Sequence, residues 1–346
     1  MSNLTKTGRP RIGGQAVLEG VMMNGEKHYA VSVRKPDGTI SSEIFDSHSL
    51  TNKGGIWKLP IIRGIIRFVE SMIIGVKTLE YSADIFIEDE TGTEKKTLQE
   101  EGKEAEACKE KKGEEAAKPK KTSAFWEKHG EDITMAFTLL LSFALALGLF
   151  VFLPTFLVKL LYTYVIRSEH HYLMGLLEGV VKMIVFVLYL WLVSKMKDIH
   201  RTFEYHGAEH KVIQTFEDAV PLTVENVRQR SRFNKRCGTS FLFLVLFISI
   251  LIFSFIQITD LVPRLLAHLA LIPFIGGLSY EVQRASAKND SKFLDLMVKP
   301  GLWIQRITTA EPDDEEIMVA IASVVKVMEV EHPEFLDAPE EEAERS

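Results

Sequence analysis

The chain has 346 residues, 46% of them hydrophobic and 25% charged, with a net charge of −6. The negative excess lies mainly beyond Glu311, a balance that argues against a nucleic-acid binder. Two widely separated cysteines, Cys108 and Cys237, argue against a disulfide scaffold and suit a reducing compartment.

The polar stretch Met1–Pro10 lacks an apolar run, so no cleaved signal peptide is expected. Residues 1–58 read as a small β-containing segment, with strands over Gln15–Met23, His28–Arg34 and Thr39–Phe45. Lys35-Pro36-Asp37-Gly38 joins the last two as a hairpin turn. Gly13 and Gly14 open the first strand; paired glycines there allow close approach of a ligand or another segment, or simply a tight strand entry. They match neither a phosphate loop nor a dinucleotide fingerprint. Glu19, in the same stretch, is the residue placed to reach a site on the cytoplasmic side.

Residues 59–87 form an amphipathic helix: Ile62, Ile65, Ile66, Val69, Ile73, Val76 and Leu79 recur at helical spacing. Its apolar stripe suits either the bilayer surface or packing on its own domain. Residues 88–128 are a charged linker containing Cys108, with too little apolar surface to offset ordering entropy; it reads as disordered or as a frayed solvated helix.

Residues 129–283 form the membrane domain, since spanning takes about 20 apolar residues. Four segments qualify: Thr134–Val158, Tyr172–Ser194, Thr239–Thr259 and Leu261–Tyr280. The fourth holds Arg264, His268, Pro273 and Gly276-Gly277, and also suits a kinked or re-entrant segment. Lys and Arg crowd the loop at 195–238 and the flanks before span one and after span four. The positive-inside rule therefore places both termini and that loop in the cytoplasm. Residues 284–336 are a cytoplasmic helical region, with Pro312 and Asp313–Glu316 at a helix start, and 337–346 an acidic tail. The expected fold class is a mainly α, multi-pass cell-membrane protein with about four transmembrane helices. The bilayer is its partner, and no nucleic acid is expected.

The sharpest local pattern is His206-Gly207-Ala208-Glu209-His210-Lys211. On a helix the two histidines stand one turn apart, and Glu209 beside them can take a proton from a water; the order is H-x-x-E-H. That chemistry is zinc lowering the pKa of bound water. The bland reading is a histidine pair lining a polar pocket, with Gly207 a helix weakness. The motif lacks a third ligand, for which Glu281 stands first, then Glu204, Glu217 and His200. Arg228–Gly238 is a basic run that orientation alone explains, or a site for anionic lipid head groups through residues such as Arg236. Cys237 among these cations favours the thiolate, although no base is fixed beside it in the sequence. Glu178 and Lys182 pair at i, i+4 inside a span, as a functional charge pair or a structural one.

GGQAVLEGVMM (13–23), RGIIRFVES (63–71), HGAEHK (206–211), LTVENVR (222–228), RCGTSF (236–241) and PGLWIQRITTAEPDD (300–314) stand in order along the chain. Together with AVSVRKPDG (30–38) and SYEV (279–282), they resemble the domain-of-unknown-function 1385 family of bacterial membrane proteins, the YqhQ-like proteins. The resemblance implies the label of predicted metal-dependent enzyme, which rests on the same His206, Glu209 and His210, and it implies no substrate. Similar proteins carry His-Pro before the Arg-Cys-Gly; Asn234-Lys235 stands there in this chain, so no histidine ligand is carried over. Two functions follow as expectations. One is a metal-dependent hydrolase with His206, His210 and Glu281 as ligands and Glu209 as base. The other is a non-enzymatic scaffold of a cytoplasmic or membrane-insertion machine, or a small-solute carrier.

Overall fold

The computed structural model describes residues 4–5, 7–47, 50, 55–106, 137–138, 140–166, 171–256, 258, 261–288 and 291–336. Cys108, most of the expected linker and the acidic tail lie outside them. The protein is mainly helical, with one four-stranded antiparallel sheet near its N-terminus. It divides into two compact units, Met1–Glu90 with Tyr189–Ser346, and Thr91–Leu188.

The sheet of the first unit is a meander of β1 (Gly13–Val17), β2 (Gly20–Asn24), β3 (His28–Arg34) and β4 (Ile40–Asp46), in that order. The single strand expected over Gln15–Met23 is therefore a hairpin, turning at Leu18 and Glu19, with Glu19 at φ 49°. The turn lacks the Gly-, Asn- or Pro-rich signature that marks most hairpins, which is why an unbroken apolar run concealed it. Both sheet faces are covered, so the central strands β2 and β3 are buried almost throughout. On one face Val21, Met23 and Ala30 meet α4 (Lys197–Glu217) and α9 (Asp314–Glu331), through Tyr205, Val212, Phe216, Ile317, Val324 and Met328. On the other, Val17, Met22, Val31 and Val33 meet Ile74, Tyr81 and Ile85 of α1 (Pro60–Glu106). Helix α1 thus continues well into the stretch expected as linker. Helix α9 starts at a capping box formed by Asp313 and Glu316, as the acidic start suggested.

A short α5 (Val224–Arg228) leads to α6 (Gly238–Ser254), α7 (Leu261–Lys288) and α8 (Lys292–Thr308). Helix α7 runs unbroken through Pro273. Helices α1 and α7 approach closely at a pair of glycines: a Cβ on Gly64 would lie 2.6 Å from the Gly277 carbonyl oxygen. In the second unit, α2 (Leu153–Leu161) lies between two π-helical turns, Gly148–Phe152 and Tyr162–Ile166. Helix α3 (His171–Val193) carries Glu178, which pairs with Lys182 at 2.9 Å and accepts from Thr155 Oγ1 at 3.1 Å. Two helical stretches, Leu140–Tyr164 and Gly175–Val193, are long and apolar enough to cross a membrane.

Candidate metal centre

Helix α4 carries His206 and His210 one turn apart, with ring centroids at 4.5 Å. A backbone carbonyl fixes each ring through its Nδ1: Thr308 O at 2.8 Å from His206, and Arg232 O at 2.5 Å from His210. A carbonyl only accepts, so both Nδ1 atoms carry a hydrogen and the Nε2 atoms are the ones turned toward the site. They share a neighbour in Cys237, the N-cap of α6. His206 Nε2 lies 3.1 Å from its Sγ, and one donor atom each from His206, His210 and Cys237 falls within 4.8 Å of the others.

Two glycines make this closeness possible. A Cβ on Gly207 would run into the Ala310 carbonyl, so glycine lets the connection from α8 to α9 cross α4 at that point. Ala310 N donates to Phe203 O at 2.8 Å, and the same strap presents Thr308 O to His206. A mid-helix glycine costs about 1 kcal/mol in intrinsic propensity, and here the crossing requires it. At Gly14 a Cβ would lie 2.6 Å from Glu209 Cγ and 2.7 Å from its Oε1, so strand β1 rests directly on that carboxylate.

Side-chain amides hold the loop that ends at Cys237. Gln305, fully buried on α8, donates to Asn234 O and Ser240 Oγ, both at 2.7 Å, and accepts from Asn234 N at 2.9 Å. Gln283 of α7 donates to Cys237 O at 2.8 Å. Sequence reasoning missed Gln305, Gln283 and Thr308, because an amide on a helix gives no signal until the loop it ties is in view.

The side chains of Glu209, His210 and Cys237 are buried and strongly polarised. Glu209 is 4% exposed, with Oε2 3.4 Å from His210 Nε2. Burial raises its carboxyl above the ordinary value, against the pull of the two imidazoles. Burial alone would push the Cys237 thiol up, yet His206 and His210 together hold it well below its usual value. Burial would likewise lower His210, but the thiol and Glu209 overcome this and raise it to about 9. Burial opposes the same upward shift at His206, where Cys237 overcomes it. Two oriented imidazoles and an acidic thiol form a donor set that fits zinc. A cavity of about 90 Å³ opens beside them, its lining including Gly13, Gly14, Glu209, His210, Asn234 and Cys237.

A family model described as Protein of unknown function (DUF1385) matches residues 59–330, which include all three donors and Glu209. The chain belongs to that family. This DUF1385 member is also 33% identical over 327 residues to the "Uncharacterized protein YqhQ" of Bacillus subtilis (strain 168), covering 93% of each chain. No solved structure matches it.

The remaining candidates of the DUF1385 chain fall elsewhere. Glu281, expected as third ligand, gives both carboxylate oxygens to Arg63, at 2.7 and 2.6 Å, and Cys237 stands at the histidines instead. His200 and Glu204 pair with each other at 3.6 Å, and Glu217 pairs with Arg236 at 2.6 Å. Glu19 binds Arg201 and accepts from Tyr205 Oη, nearer the start of α4 than the histidines. Along the basic run, Arg228 faces Asp314, Arg230 faces Asp218, Arg232 faces Glu311 and Lys235 faces Asp295. Pairing within the fold leaves that run less charge for an anionic head group. His268 lies against Phe253, the rings tilted by 34° with centroids 3.9 Å apart.

Proposed function

We propose that this protein is a multi-pass membrane protein with a zinc-dependent hydrolytic site on its cytoplasmic side. One observation carries the catalytic half: each imidazole is tied by Nδ1 to a backbone carbonyl, so that both Nε2 atoms are available beside one thiol. Metal-binding histidines are held in one tautomer by this kind of bond, and a merely packed pair has no need of the thiol. His206, His210 and Cys237 would hold the ion. Zinc held there would supply Lewis-acid chemistry, polarising a substrate oxygen and making water a nucleophile near neutral pH. Glu209 takes a proton from the attacking water and returns it to the leaving group, a return its burial-raised pKa favours. Gln305, Gln283 and the strap at Ala310 hold these groups in place, and burial keeps bulk water out.

Purified full-length protein is expected to carry about one zinc per chain, lost in His206→Ala and in Cys237→Ser. It should survive His200→Ala, which removes an exposed histidine from the same helix. A metal-free protein whose Cys237 alkylates rapidly would overturn this reading. The contact between His206 Nε2 and Sγ at 3.1 Å would then serve a Cys–His nucleophile. A metal-free, unreactive protein would favour the scaffold.

Support for the membrane half comes from uncovered apolar surface. Only 11% and 17% of the apolar windows in Leu140–Tyr164 and Gly175–Val193 are buried, unlike the core helix of a soluble domain. Helix α6 exposes Leu242 and Leu251, and α7 exposes Val262, Leu266, Leu269 and Ile272. These four helical regions are proposed as the four spans, with residues 195–238 and both termini in the cytoplasm by the positive-inside rule.

A further inference from the structure

We propose that the substrate of this site is a polypeptide in extended conformation, which pairs with the free edge of β1; the proposal rests on the hydrolytic reading above. Among the described residues β1 pairs only with β2. The direction of its outer backbone groups follows from bonds elsewhere in the sheet. Gly25 N donates to His28 O and Arg34 N to Glu19 O, each at 2.8 Å, so the pairs 25/28 and 19/34 are hydrogen-bonded ones. Antiparallel pairs alternate, which makes Val21/Ser32 and Met23/Ala30 hydrogen-bonded as well. Val21 and Met23 thus bond to β3, and their partners on β1, Ala16 and Gly14, turn N–H and C=O outward.

The N–H groups at the two ends of this outward row are satisfied. Ile12 N donates to Glu217 Oε1 at 3.3 Å and Leu18 N to Ser82 Oγ at 3.2 Å. Between them, Gly14 is exposed and Ala16 half-buried, and neither has a further hydrogen bond among the described residues. Gly13 and Gly14 share the wall of the cavity with Glu209, His210 and Cys237. Gly14 is explained by Glu209, but Gly13 is not explained by the fold: it lacks positive φ, and a Cβ there would meet nothing within 4 Å. Bare backbone at a sheet edge is where a second backbone approaches closely.

Two donors and two acceptors in alternation are the complement of an extended peptide. A phosphodiester by itself offers acceptors alone and leaves the carbonyls of Gly14 and Ala16 unanswered. Paired there, a peptide places a carbonyl in the cavity. The water oxygen bonds to that carbon, the C–N bond breaks, and Glu209 passes the water's proton to the departing nitrogen. Water is the only co-reactant.

The test uses full-length Glu209→Gln protein in detergent, loaded with zinc, and a fluorescent random-sequence decapeptide library read by polarisation. Saturable binding is expected, weakened about tenfold when the library is N-methylated at alternate residues. Ala16→Pro removes one outward N–H and no ladder bond, and should weaken binding about tenfold at unchanged zinc content. Should that variant lose its zinc, Gly13→Ala tests the same edge, since a Cβ there meets nothing within 4 Å. Binding indifferent to methylation and to the edge variants, or absent from zinc-loaded protein, overturns the peptide and leaves the metal centre standing. A wild-type protein without zinc overturns the hydrolytic reading itself.

Discussion

One methyl group at position 207 is enough to force the Ala310 carbonyl away from α4, and with it the Thr308 carbonyl that orients His206. Gly207→Ala is therefore expected to lose zinc without touching a ligand and to destabilise the fold by about 1–3 kcal/mol, the usual range for overpacking. Metal analysis beside thermal denaturation checks both. Gly14→Ala acts on the other half of the site. Its Cβ would crowd Glu209, and zinc is expected to stay bound while the carboxylate moves. Retained zinc in the second variant and lost zinc in the first separate the two roles. His206 and His210 were legible as a pair because helical spacing brings i and i+4 together. Cys237 was not legible as their partner, since 26 residues separate it from His210 and nothing local links them. Glu281 misled for the same reason: its partner Arg63 is 218 residues away.

Helix α9 is joined to the sheet by one carboxylate. Glu331, on its last turn with a side chain only 5% exposed, accepts from the backbone N–H groups of Glu26, Lys27 and His28 at 2.7, 2.6 and 2.6 Å. Burial raises its pKa, but these donors more than reverse that and hold it below 4.5. A depressed carboxylate stabilises the fold above its unfolded pKa, and that stability is lost as pH falls through the folded value. Glu331→Gln is expected to cost about 1.5–3 kcal/mol at neutral pH, the range for hydrogen bonds to a charged group. It should also flatten the loss of stability on going from pH 5 downward, as followed by denaturant melts. Helix α1 packs on its own domain, one of its two expected roles: Ile74, Tyr81 and Ile85 meet the sheet, while Val69, Met72, Ile73, Val76 and Leu79 remain exposed. Helix α8 repeats the pattern, with Phe293, Leu296 and Trp303 exposed and Ile304 and Gln305 buried.

For the whole molecule the proposed topology makes a direct prediction. Reporter domains fused within 218–222 and after residue 336 should report cytoplasm, and one inserted between the first two spans the opposite side. The protein should also stay with membranes through an alkaline carbonate wash. An outward-facing reporter near residue 220 would remove the proposed site from the cell interior.

The order of apolar runs, the spacing of His206 and His210 and the β3–β4 hairpin were readable from the chain alone, because each depends on neighbours within a turn or a pleat. The hairpin between β1 and β2, the thiol at the histidines, the strap over Gly207 and the carboxylate beneath Gly14 required the folded chain. Each is a contact between distant segments, and a linear sequence encodes which residues can make such a contact without encoding which of them will meet.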